Sequence, residues 1–274
     1  MGSNWTSPAN PHQPPLTGRT RDFVLMIQKL VYAFTRHWLF GLNAVVFLYL
    51  FGALVAPTLA AAHQNGAANV LYTAYGFTCH QLPERSYFLF APGGGIHTYN
   101  EDLILRQGVD SDNRRAFRGD AEMGYKFAVS DRMVSMYGGT LLAGLLYALL
   151  RRLRVPVPPL PFWGLVLLAL PMGIDGFTHL IDDVTGIGWR ATNAWAVPIF
   201  GPQMAADFYT GTDWGSLNSL LRLVTGLLFG LGTVWFAYPL IGLGFEDIAD
   251  QAERQLARAE EKSEVEAPLR PLPR

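Results

Sequence analysis

Asp175 and His179 stand four residues apart in an apolar run, a spacing that puts both on one face of a helix. An acid and an imidazole so placed can pair, relay a proton, or offer mixed oxygen and nitrogen ligands to a cation. Asp182 and Asp183 follow within a turn. Cys79 and His80 are adjacent and offer a thiolate and an imidazole, with Arg85 close behind them. Asp131 and Arg132 precede a second apolar run, and Asn218 and Arg222 lie one turn apart at the head of a third.

Three chemistries are open to this set. A structural polar network is the preferred one, with Asp175 neutralised by Arg222 and His179 bonded to a backbone carbonyl. A metal site would draw on His80, Cys79, His179 and Asp175, and zinc or another metal would suit them, although neighbouring residues serve one tetrahedral ion poorly. A proton relay is the third. Cys79 reads best as a buried thiol beside a hydrogen-bonded imidazole. Arg85 and Arg132 read best as partners of Glu84 and Asp131 rather than as phosphate or headgroup ligands. No residue is assigned a catalytic role.

The elements that must position these residues are hydrophobic rods. Half of the 274 residues are hydrophobic and 16% are charged, against about a quarter in soluble domains; the mean hydropathy is +0.18. Basic and acidic residues number 21 and 22, which argues against nucleic acid as a partner. The single cysteine rules out an intramolecular disulfide and any thiolate-rich cluster.

Apolar runs predict four membrane spans, at residues 38–62, 134–150, 162–181 and 217–245. Outer loops at 63–133 and 182–216 separate them. The fold class expected is an all-α membrane protein: a bundle of about four transmembrane helices with interfacial amphipathic helices and an outer loop region. Arg151, Arg152 and Arg154 between the second and third spans, and Arg19, Arg21, Lys29 and Arg36 before the first, place both termini in the cytoplasm of a multi-pass inner-membrane protein. The first span is too long, and its leader too long, for a cleaved signal peptide.

Residues 1–18 read as a disordered tail, rich in Pro, Asn, Ser and Gly. Over 19–37, Phe23, Ile27, Leu30 and Phe34 recur at helical spacing, as in an amphipathic helix on the membrane surface. Residues 246–274 read as a charged cytoplasmic helix and tail. Gly93-Gly94-Gly95 is a turn and no phosphate loop, since no Lys-Ser/Thr follows. Trp189, Trp195 and Trp214 suit an aromatic belt rather than a pigment or quinone site. Only His179 lies within a span, which disfavours a haem held by two histidines.

Three stretches carry a resemblance: Cys79 to Phe88, Pro171 to His179, and Asn218 to Gly230. They resemble the signatures of a family of small prokaryotic membrane proteins known as domain of unknown function 2085, over roughly residues 40–240. The resemblance implies a membrane bundle and, from the family's Cys-x-x-Cys element paired with Cys-His, a thiolate–imidazole metal or redox site. Here the matching stretch, 129–138, has no cysteine. The family brings no assigned reaction.

The function expected is a non-catalytic accessory or assembly subunit of a membrane complex, with a polar pocket at the outer face. Its partners would be the lipid bilayer and proteins of a complex, or copies of itself. No cofactor is firmly implied. The alternatives are a metal-dependent redox or hydrolytic enzyme using Cys79, His80, Asp175 and His179, and a small oligomeric proton-linked transporter.

Overall fold

A computed structural model describes residues 18–266, and side chains over 19–259. Most of the expected N-terminal tail and the last residues of the C-terminal tail lie outside the described residues. In chain order the elements are α1 (Gly18–Ala61), α2 (Asn65–Tyr75), β1 (Phe88–Leu89), β2 (Ile96–His97), α3 (Glu101–Arg106), β3 (Gly119–Asp120) and β4 (Gly124–Lys126). Then come α4 (Asp131–Arg152), α5 (Phe162–Thr185), α6 (Trp189–Thr192), α7 (Val197–Phe200), α8 (Ala206–Thr210) and α9 (Leu217–Glu266).

The protein is a predominantly helical membrane protein: α1, α4, α5 and α9 are long and apolar enough to cross a bilayer. Residues 39–242 form one compact unit, and the described parts of the two chain ends (18–38 and 243–266) form another. Within the end unit, Phe34 and Trp38 meet the ring of Phe245 edge-on, and the Gln28 amide donates to Gln255 at 2.8 Å. The segment expected as a separate surface helix is thus the first part of α1, and its partner is the other chain end. Phe23, Leu30 and Phe34 remain 59–66% exposed there.

Within the main unit, small residues let helices approach closely. A Cβ on Gly230 would come 2.6 Å from the Met136 carbonyl oxygen, and one on Gly139 would come 3.0 Å from the Leu227 Cα. Gly226 faces Ser135 in the same seam. The Gly226-x-x-x-Gly230 spacing therefore sets α9 against α4, as small residues do where water cannot drive association. Ala53, Ala56 and Ala60 give α1 a small-residue face that packs on Ala68, Tyr72, Cys79 and Val129.

Prolines inside the spanning helices each deprive the carbonyl four residues back of its donor. At Pro57 that carbonyl, Ala53, accepts the Ala128 N–H at 3.3 Å; at Pro239 it is Trp235, which accepts the Leu160 N–H at 3.2 Å. Both bonds pin a connecting segment onto a span.

Between α2 and α4 the chain builds a small antiparallel sheet in the order β2-β1-β4-β3. Its strands are two or three residues long, too short for any alternation to be read from sequence. The glycine run 93–95 lies in the β1–β2 turn.

Candidate functional site

The polar residues converge at one end of the main unit, where α1 and α5 finish and α4 and α9 begin. Asp131 is the first residue of α4, a position where the helix dipole favours a carboxylate. Its Oδ1 accepts the Arg132 N–H at 2.7 Å, and its Oδ2 accepts Arg222 Nε–H at 2.7 Å. Arg222 is 1% exposed and also donates from Nη2 to the Thr212 carbonyl at 2.9 Å.

The expected pairing of Asp175 with Arg222 is therefore corrected. Asp175 instead takes two other guanidinium groups, Arg132 Nη2 on Oδ2 and Arg190 Nη2 on Oδ1, each at 2.6 Å. The physical reason lies in the turn that follows α5. Gly186 ends that helix with φ +65°, a left-handed conformation that glycine adopts without strain. Asp182 then caps the next short helix: its carboxylate accepts the N–H groups of Trp189 and Arg190 at 3.0 Å and of Ala191 at 3.2 Å. That cap folds the chain back and drops Arg190 over the last turns of α5, nearer to Asp175 than Arg222 is. Left over, Arg222 goes to Asp131.

His179 also serves Arg190, its Nε2 lying 3.0 Å from Nη2. A guanidinium only donates, so Nε2 is the unprotonated acceptor and the ring is neutral. The expected backbone-carbonyl partner of His179 is replaced by this arginine. Asn218 holds the Arg190 backbone, donating from Nδ2 to the Arg190 and Gly211 carbonyls at 3.3 and 3.1 Å. Its Oδ1 accepts from the buried Asn193 at 3.1 Å. Burial pulls the Arg190 pKa below its ordinary value while the Asp175 charge opposes that shift.

Cys79 lies apart from this ionic pair of clusters but at the same end. Its Sγ accepts the N–H of Ser130, the cap residue just before α4, at 3.2 Å, and that of Gln81 at 3.5 Å. His80 is exposed. The four metal candidates are thus not gathered, and among the described residues no group of three or more His, Cys, Asp or Glu side chains is placed to hold a metal ion. Arg85 reaches Asp183, with Nη2 3.0 and 3.1 Å from the two carboxylate oxygens. The expected Arg85–Glu84 and Arg132–Asp131 side-chain pairs give way to Arg85–Asp183 and Arg132–Asp175; Glu84 faces Arg114 instead, at 3.3 Å.

Two members of the site escaped the sequence reading. Arg190 is the one basic residue between α5 and α9, and a search for a partner to a buried Asp175 could have found it. Lys126, the last residue of β4, is fully buried, its Nζ donating to the Gln81 and Arg115 carbonyls at 2.7 and 2.8 Å. Burial, reinforced by Arg118, pushes its pKa down to about 7. No sequence signal marks it.

Above the ion pairs a polar cavity of about 300 Å³ is lined by Arg85, Glu101, Asp102, His179, Asp183 and Arg190, among others. On the other side an apolar cleft of about 470 Å³ lies between α5 and α9 and also touches Arg190.

Comparison with known proteins follows the architecture. Residues 114–236 match the model of DUF2085, described as a predicted membrane protein, the family the three sequence stretches resemble. The matched segment holds the second and third stretches and leaves the Cys79 stretch outside it. An uncharacterized protein of Methanocaldococcus jannaschii is 27% identical over 114 residues, 40% of this chain and 49% of that protein. The chain thus spans about half the length of this relative. No solved structure matches.

Proposed function

We propose that the protein is a non-catalytic accessory or assembly subunit of a membrane complex that presents a polar pocket at the outer face of the inner membrane. One observation carries the reading: the groups best able to do chemistry are occupied by the fold itself. Asp175 is held by two arginines, Asp182 by three backbone N–H groups, His179 by Arg190, and Cys79 by two backbone N–H groups. Such a network fixes the connecting segments between spans into one platform, with the acidic rim of Glu101 and Asp102 exposed on it.

Cytoplasmic termini are supported by the charge bias. Arg151 and Arg152, which end α4, and Arg154 just after it are exposed, while Arg190, the basic residue between α5 and α9, is buried in an ion pair. The apolar stripe of Phe23, Leu30 and Phe34 gives the end unit a face for lipid or for a partner.

The test is the mass of the full chain purified in mild detergent from its own membrane. A complex of fixed stoichiometry, dispersed by Glu101→Lys/Asp102→Lys, is the expected result. A lone monomer carrying near-stoichiometric metal or turning over a substrate contradicts the proposal.

A further inference from the structure

The short helix α2 runs back along α1, and its C-terminal end reaches the level of the spans. Tyr75 donates its hydroxyl to the Tyr49 carbonyl of α1 at 2.6 Å, and the Thr78 and Tyr49 hydroxyls meet at 2.9 Å. The Tyr49 ring in turn lies 4.4 Å from that of Tyr137 in α4. Tyr137 is about 9 Å along α4 from Asp131, and the 22 residues of that helix rise about 33 Å. This length just exceeds the hydrocarbon layer of about 30 Å, so the end of α2 sits at the boundary between lipid and water. Phe77, just past that end, is 89% exposed. A bare aromatic ring at this depth is suited to contact with acyl chains.

Beside Phe77 opens a cleft of about 610 Å³, lined by Tyr72, Gly76, Gln81, Arg115 and Arg118, among others. Among the described residues no carboxylate lines it. Arg115 gives an N–H to the Gly76 carbonyl and is otherwise exposed. Arg118 lies over the Tyr72 ring, 4.6 Å from its centre, and its side chain has no hydrogen bond or ion pair among the described residues. Burial pulls the Arg118 pKa below its ordinary value, and only the Tyr72 phenol opposes that shift. The neighbouring Arg114, by contrast, is taken by Glu84 and Glu101. After burial, Arg118 is the strongest influence lowering the Lys126 pKa, and Arg115 adds to it, so the positive field of the pair extends behind the cleft.

We infer that this cleft holds the phosphate of an anionic phospholipid from the adjoining leaflet, with Arg115 and Arg118 as its cationic walls and Phe77 among the acyl chains. The paired N–H groups of a guanidinium match phosphate oxygens. Basic side chains at a membrane surface attract anionic lipid. A zwitterionic head gains less, because its ammonium finds no carboxylate in the cleft and meets two arginines instead. The exposed ring beside the arginines selects a lipid over a soluble phosphate. The inference concerns this chain alone and does not require the accessory role.

The test titrates the full chain in a maltoside detergent and counts bound lipid by native mass spectrometry. The probes are dioleoyl phosphatidylglycerol, dioleoyl phosphatidylcholine and dioleoylglycerol, which lacks the phosphate. The first phosphatidylglycerol should bind about tenfold tighter than either of the others. Arg115→Gln/Arg118→Gln should weaken it about a hundredfold, one charge-assisted hydrogen bond being lost at each position. Asn113→Asp leaves both arginines in place and sets a carboxylate at the exposed edge of the cleft; it should weaken binding about tenfold with the melting temperature unchanged. Equal affinity for phosphatidylglycerol and phosphatidylcholine, or phosphatidylglycerol binding unchanged in both variants, overturns the site. Displacement by an equal concentration of inorganic phosphate overturns the lipid as ligand and points to a soluble phosphate. A Phe77→Ser variant that binds as tightly as the wild type overturns the place of that ring among acyl chains.

Discussion

Arg222 donates its Nε–H to Asp131 across 91 residues of sequence at 2.7 Å, joining the first turn of α4 to the second turn of α9. Both side chains are more than nine-tenths buried. Next to this pair, Asp175 bridges Arg132 and Arg190. Three spans, α4, α5 and α9, and the segment between α5 and α9 are thereby tied together by two carboxylates.

Removing one member of a buried pair leaves an uncompensated charge, at a cost of about 3–5 kcal/mol. Asp175→Asn should therefore lower unfolding stability in detergent by about that amount, because two arginines lose their partner. Asp183→Asn, whose carboxylate side chain is 49% exposed, should cost less than about 1 kcal/mol. Equal losses in the two variants contradict the burial argument.

The helix seam predicts a second contrast. Gly230→Leu would drive a side chain into the α4 backbone and should abolish the folded state, read as loss of a monodisperse peak. Gly138→Leu enters open space and should leave the peak intact.

Lys126 predicts a pH effect with a definite sign. Its pKa falls from 10.5 in the unfolded chain to about 7 in the fold. Below about pH 7 both states hold the proton, and the cost of burying the charge is fully present. Between about 7 and 10.5 the unfolded chain binds more protons, so stability rises with pH. The melting temperature of the wild type relative to Lys126→Met should climb from pH 7 to pH 9.5. A flat difference would show that the lysine is not deprotonated in the fold.

Cys79 should react slowly with maleimide in native detergent and at once after denaturation, since its thiol is buried and accepts two N–H bonds. Rapid native labelling would place the thiol at the surface and remove its role at the start of α4.

The membrane helices were legible because their signal is length and hydropathy, as in the run from Trp38 to Ala61. That the costly polar residues share one end was also legible, from the direction each span must take. The partners were not. Asp175 and Arg222 are compatible by depth, but Arg190 is brought closer by a left-handed Gly186 and a cap from Asp182, neither of which depth can reveal. The sheet was hidden for another reason: Phe88 and Leu89 pair on both sides with strands too short to show alternation. Lys126 looks like any exposed lysine until the fold brings the Gln81 and Arg115 carbonyls onto its Nζ.

The central claim is that the spans are held at one end by specific buried pairs, and a double-mutant cycle tests it most directly. Asp131→Asn, Arg222→Gln and their combination should show a coupling of about 1–3 kcal/mol in detergent unfolding. The matching cycle of Asp175→Asn with Arg222→Gln should give clearly less. A larger coupling between Asp175 and Arg222 than between Asp131 and Arg222 contradicts the arrangement.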